Sequence, residues 1–115
     1  MLRRDAEYLH HEGLVPIVVP NATHALRLAS SVDVVVTGLL LPGEIDGIEL
    51  LARLRRDART RAIPIVVLTA CAWRSDRDRA LAAGCDCFLS KPCLPCTLLD
   101  QLRRLVRKGT FSPTP

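Results

Sequence analysis

The sequence predicts an α/β fold, a three-layer sandwich with a mostly parallel sheet between two layers of helices. Short apolar runs bounded by turn residues alternate along the chain with segments whose apolar residues recur at helical spacing. The connections between them are short, which favours strand–helix–strand units over separate hairpins and bundles. The strand-type runs, such as VVV at 34–36 and IVVL at 65–68, are continuously apolar. Strands covered by helices on both faces read this way, whereas strands with one wet face alternate.

Each element follows from local signals. Arg3 to Glu12 carries helix formers and stops at Gly13, a C-cap residue. Leu14 to Val19 is a short apolar run, and Pro16 inside it lacks a ladder donor, so an edge or peripheral strand is expected. Pro20-Asn21 makes a turn, and Asn21 caps a short helix from Ala22 to Ala29. Val34 to Thr37 is a buried strand, and the loop from Gly38 to Asp46 follows it. Asp46 is an N-cap for a helix from Gly47 to Arg56, with Ile48, Leu50, Leu51 and Leu54 as its apolar stripe. Ile63 to Thr69 is the next buried strand, with Pro64 at its entrance. A helix beginning at Arg74 or Ser75 is stopped by Gly84; Cys85 to Ser90 is a short strand broken by Lys91-Pro92; Thr97 to Val106 is an amphipathic helix. Residues 1–108 form one expected domain and 109–115 a flexible, proline-rich tail.

Composition limits the function classes. At 115 residues, 49% apolar and 24% charged, the chain can bury a core, and with 3% aromatics that core is aliphatic. The net charge of +4 comes from arginines spread over several predicted helices, which reads as solvated helix faces rather than a nucleic-acid surface. No apolar run is long enough to span a membrane, and no signal-peptide pattern opens the chain, so a cytoplasmic protein is expected. In that compartment the five cysteines are expected as free thiols.

In open parallel sheets, sites lie beyond the carboxyl ends of the strands. The candidates are Thr37-Gly38, Thr69-Ala70 and Ser90-Lys91-Pro92. At these positions the chain resembles the receiver domain of two-component response regulators. The resemblance is carried by VVVTGLLLPGEIDGIELL, IPIVVLTA and ALAAGCDCFLSKPC followed by an amphipathic helix. It implies a flavodoxin-like, doubly wound parallel sheet in the order 2-1-3-4-5. It also implies a site where an aspartate is phosphorylated, Mg²⁺ is held by that aspartate and an acidic pair, and a hydroxyl residue and a lysine contact the phosphoryl group. Carried over, Thr69 matches the hydroxyl residue, Lys91 the lysine, Pro92 the following and often cis proline, and Phe88 the switch aromatic.

Gly38 falls where the phosphorylated aspartate belongs, and the first strand with its acidic pair has no counterpart before Met1. Phosphoryl transfer needs a nucleophile with a lone pair, which glycine lacks, and neutralisation of charge, which Mg²⁺ supplies through carboxylate ligands. Asp33 lies at the start of its strand, and Asp46 is accounted for as a helix cap. The expectation is therefore a non-enzymatic pseudo-receiver with no Mg²⁺ and no other cofactor, acting by protein–protein interaction in phosphorelay signalling. The resemblance implies a sensor kinase or another signalling protein as partner and a homodimer through residues 74–107. Two alternatives stand beside it: a response regulator switched by a non-standard phosphosite or an anion at Thr69 and Lys91, and a truncated or mis-started gene product. Gly38 is also expected to allow backbone angles that an aspartate would resist.

Cys71, Cys85, Cys87, Cys93 and Cys96 invite a zinc or redox reading through C-D-C and C-L-P-C. The C-D-C spacing is tight for a shared metal, so small buried hydrophobes and surface thiols account for them better. His10, His11 and His24 form no ligand pair and read as surface residues. Without its first strand the sheet can close up as four strands, accept a strand from another chain, or belong to a longer chain; closure predicts marginal stability.

Overall fold

The computed structural model describes residues 3–70 and 73–107. The described elements are α1 (Arg3–His11), α2 (Ala22–Leu28), a 3₁₀ turn (Ala29–Ser31), β1 (Val35–Thr37), α3 (Gly47–Arg56), β2 (Ile65–Thr69), α4 (Arg74–Ala83), β3 (Cys87–Ser90) and α5 (Pro95–Arg107). The strands form a parallel sheet in the order β1-β2-β3. Val35 registers with Ile65, and Val67 with Phe88.

β2 is central and buried along its whole length, which is why it is apolar at every position. Its side chains alternate between two cores. Ile65 and Val67 meet Leu50, Leu51 and Leu54 of α3 and Ala80 of α4. Val66 and Leu68 meet Leu9 of α1 and Leu98, Leu99 and Leu102 of α5. Helices α2, α3 and α4 thus cover one face and α1 and α5 the other.

The caps fall where the side-chain chemistry places them. Asn21 accepts from His24 N at 3.0 Å, and Asp46 Oδ1 accepts from Glu49 N at 2.9 Å. Gly84 ends α4 in the left-handed region at φ 112°, its N–H donating to the Ala80 and Leu81 carbonyls. Pro95 opens α5, where its fixed φ is helical and its missing N–H costs no bond.

Several boundaries differ from the sequence reading. The helix from Ala22 stops at Leu28 and tightens into the 3₁₀ turn at Ala29, β3 begins at Cys87 rather than Cys85, and α5 begins at Pro95 rather than Thr97. Leu14 to Val19 is extended but is not a strand. Pro16 lacks a donor, and a groove separates the segment from β1, so no ladder forms. Among the described residues the sheet has three strands, β1, β2 and β3, rather than four. The expected tail at 109–115 and Cys71 lie outside the described residues.

Candidate functional site

The carboxyl ends of the three strands lie side by side, because the sheet is parallel and staggered by register. Thr69 pairs with Ser90, and the Lys91 N–H donates to the Thr69 carbonyl at 2.9 Å. That bond ties the loop after β3 to the end of β2 and sets Lys91 beside Thr69. Thr69 is buried and Lys91 half-buried. The Lys91-Pro92 peptide is cis, as the resemblance implies. No described carboxylate forms an ion pair with Lys91.

Gly38 leaves the end of β1 next to the end of β2. A Cβ built on it would lie 3.6 Å from the Leu68 carbonyl oxygen and 3.9 Å from Leu41 Cδ2, both ordinary contacts. The positive-φ glycines among the described residues are Gly13, Gly43 and Gly84, so Gly38 does not hold a left-handed conformation. This corrects the expectation that its backbone would resist an aspartate. Thr37, buried just before it, donates from Oγ1 to the Gly38 carbonyl at 3.0 Å.

Gly47 is a residue whose role the sequence reading missed. Its N–H donates to the Leu39 carbonyl at 2.8 Å. A Cβ there would run into the Gly38 carbonyl oxygen and approach the Leu39 Cα at 2.7 Å. Only glycine lets the start of α3 sit against the Gly38-Leu39 backbone. The signal was visible as the glycine following the cap Asp46, but the close approach is a tertiary fact.

Among the remaining carboxylates, Asp5 of α1 is buried and its charge acts on Cys93, two residues beyond Lys91. Asp46 caps α3 and Glu44 is exposed in the loop. Asp33 is exposed before the amino end of β1. Phe88 is half-buried and packs on the core beneath α3 and α4. The thiols follow burial: desolvation pushes Cys85, Cys87 and Cys93 above the ordinary thiol range, with the charge of Asp86 adding to the rise at Cys85. Such thiols are less nucleophilic at neutral pH. Among the described residues no group of three His, Cys, Asp or Glu side chains comes together to hold a metal.

Trp73, the single tryptophan of the chain, precedes α4 just beyond β2 and is 75% exposed. One arginine departs from the expectation of solvated faces. Arg55 turns inward and donates to the Gly84 carbonyl from Nε at 2.9 Å and Nη2 at 2.7 Å, to the Ile63 carbonyl at 2.7 Å, and to Asp86 Oδ2 at 2.8 Å. Asp86 Oδ2 also accepts from Ile65 N at 2.7 Å. The network clamps the end of α3, the entrance of β2 and the turn before β3.

A doubly wound parallel sheet with a hydroxyl residue, a lysine and a cis proline at adjacent strand ends defines a class of signalling domain. The family model of the response regulator receiver domain matches residues 1–103, and the chain belongs to this family. A receiver domain of a signal transduction histidine kinase from Syntrophus aciditrophicus superposes with a TM-score of 0.80 at 30% identity, covering 99% of this chain and 89% of that one. The receiver domain of Francisella response regulator 1452 gives a TM-score of 0.83 at 25% identity, covering 93% and 88%. The phosphate regulon transcriptional regulatory protein PhoB of Escherichia coli is 36% identical over 102 residues, covering 87% of this chain and 44% of PhoB. The probable transcriptional regulator ycf29 of Pyropia yezoensis is 33% identical over 107 residues, covering 91% and 48%. The chain thus spans about half the length of these two regulators.

Proposed function

We propose that this receiver domain works as an interaction module in two-component signalling without aspartyl phosphorylation at position 38. The observation that carries this reading is the glycine that follows β1, against the end of β2 that carries Thr69. Phosphoryl transfer requires an acceptor oxygen at that place; glycine supplies none, Asp46 is engaged as the α3 cap, and Asp33 precedes the amino end of β1. The groups at the strand ends are hydroxyls, an ammonium and backbone carbonyls. This set does not suit Mg²⁺, which prefers carboxylates and phosphate oxygens in octahedral array. No step is therefore routed through a metal.

Partners of such a module are a sensor kinase or another signalling protein. The surface of α4, β3 and α5, residues 74–107, suits a second copy or a partner, since Leu81 and Leu94 are exposed there. The test is incubation with a small-molecule phosphodonor and Mg²⁺ followed by intact-mass measurement. The expected spectrum is unchanged; a gain of one phosphoryl group would overturn the reading.

A second reading is favoured by one observation, the placement of Lys91 beside Thr69 with no described carboxylate paired to it. There an anion could bind without covalent chemistry. Titration with inorganic phosphate, followed through the Thr69 and Lys91 amide resonances, decides it: saturable shifts support the anion-switched reading, and unchanged resonances exclude it.

A further inference from the structure

The loop after β3 runs through Cys93-Leu94-Pro95-Cys96 into α5. Because α5 begins at Pro95 rather than Thr97, Cys96 stands inside its first turn. The Leu94 carbonyl accepts from Thr97 N at 3.0 Å and from Leu98 N at 3.2 Å, so the helix starts from Leu94. Cys93 precedes that residue, and its side chain folds back over the turn. Its Sγ donates to the Leu94 carbonyl oxygen at 3.5 Å, and the Leu98 N–H reaches the same sulfur. Both thiols thus belong to the start of one helix, and a charge on Cys96 acts on Cys93. Two cysteines three apart, the first just ahead of a helix and the second in its first turn, form the arrangement of dithiols that open and close a disulfide.

The two thiols differ in what surrounds them. Cys96 is exposed. Cys93 is half-buried and packs on the cluster of Leu98, Leu99 and Leu102. Burial first, then the charge of Asp5 on α1 and that of Cys96, hold the proton on Cys93. Cys96 is therefore the thiol that an incoming reagent meets, and Cys93 the one held beside it. A third thiol, Cys87, also acts on Cys93's surroundings but is fixed in β3, where its Sγ donates to Gln101 Oε1 at 3.7 Å. A tetrahedral metal ion needs more ligands than this pair, and among the described residues no group of three comes together to supply them. A disulfide needs only two sulfurs.

We infer that Cys93 and Cys96 form a thiol–disulfide exchange site, which a low-molecular-weight disulfide of the glutathione type oxidises to an intramolecular bond. Cys96 loses its proton to water, and its thiolate attacks one sulfur of the reagent, whose S–S bond breaks and releases one thiolate. Cys93 then gives up its proton, and its sulfur attacks Cys96 Sγ and displaces the second thiolate. Two electrons pass from the cysteine pair to the reagent, and the two released thiolates take up the two protons. The product is a ring closed around Leu94 and Pro95. Leu94 is 67% exposed and lies on the surface proposed above for partners, so the bond fixes an apolar contact to the start of α5. The exchange uses neither Gly38 nor Thr69 and holds whether or not position 38 accepts a phosphoryl group.

The experiment incubates the 115-residue chain with glutathione disulfide, stops the exchange with acid and maps the disulfides by mass spectrometry. The expected product is a Cys93–Cys96 bond, with no glutathione kept on either sulfur. Cys93→Ser is expected to keep one glutathione on Cys96, because the sulfur that would displace it is gone. In Cys96→Ser, the half-buried Cys93 is expected to react about tenfold more slowly than Cys96 does in Cys93→Ser. In the oxidised chain, amide exchange at Thr97 and Leu98 is expected to slow by about threefold or more as the turn is pinned. Glutathione kept on Cys96 of the intact chain, a bond from Cys93 to Cys87 in place of Cys96, or no reaction at either sulfur would each overturn the proposal. Equal rates in the two variants would overturn the division of roles between the thiols, and unchanged exchange at Thr97 and Leu98 the fixing of Leu94.

Discussion

Gly38 and Gly47 sit against each other, and their demands are opposite. At Gly38 a Cβ finds ordinary contacts and the backbone is not left-handed. Gly38→Ala is therefore expected to change stability by no more than about 1 kcal/mol, and to raise it if the entropy of the unfolded chain decides. At Gly47 the same methyl meets backbone that cannot move without displacing the loop. Gly47→Ala is expected to cost about 1–3 kcal/mol, the range of an overpacked interior. Urea denaturation of the two variants checks both, and equal effects would refute the contrast. The type of residue at 38 was legible in the sequence, because Pro42-Gly43 fixes its offset from the turn. Its backbone conformation was not, since glycine is compatible with either region. Gly47 was read only as the start of a helix, because a close approach between residues nine apart leaves no local pattern.

At the scale of elements, helices and central strands were legible from apolar period and caps, and the α3 cap shows why. Asp46 lies three residues before Glu49 and directly before an apolar stripe, and the observed bond from Glu49 N is the one that spacing predicts. The clamp around Arg55 was illegible. Seven further arginines fall between Arg53 and Arg79, and nothing in the sequence distinguishes the one that turns inward. It joins three element ends through a single guanidinium, whose planar fork holds several acceptors at once. Arg55→Met keeps the apolar stem but strands the Gly84 and Ile63 carbonyls and Asp86. A loss of about 1–2 kcal/mol is expected, since the network is only partly buried and water screens its exposed Asp86 end. Chemical denaturation measures it, and a double-mutant cycle with Asp86→Asn tests the coupling. A loss below about 0.5 kcal/mol, the scale of an ordinary surface substitution, would show that the clamp is ornamental.

The whole molecule is a sheet with one secure side and one open side. β2 is buried along its length, whereas Val15 to Val19 face the groove. Amide exchange is expected to be slowest in Ile65–Leu68 and close to unprotected in Val15–Val19, and uniform protection across both would contradict the open groove. The sequence left open how the sheet is completed on the side of residues 14–19. Closure depends on how helices on both faces hold the 14–19 segment, and no local signal encodes that. The thiols add a pH term. Burial raises the pKa of Cys85, Cys87 and Cys93 in the folded chain, so folding holds their protons more tightly than unfolding does. Their contribution is intact below the ordinary thiol pKa and is lost as pH rises toward the raised values. Melting temperature is therefore expected to fall through the alkaline range, and Cys85→Ala to flatten that fall.

The position of Trp73 gives the chain an optical property. An exposed indole with no second tryptophan behind it emits at the long-wavelength, water-relaxed end of its range and is open to collisional quenchers. Because it follows the carboxyl end of β2, covering of the indole by a bound protein surface would move the emission to the blue and blunt iodide quenching. The molecule therefore reports events at its own strand ends by fluorescence, without a label.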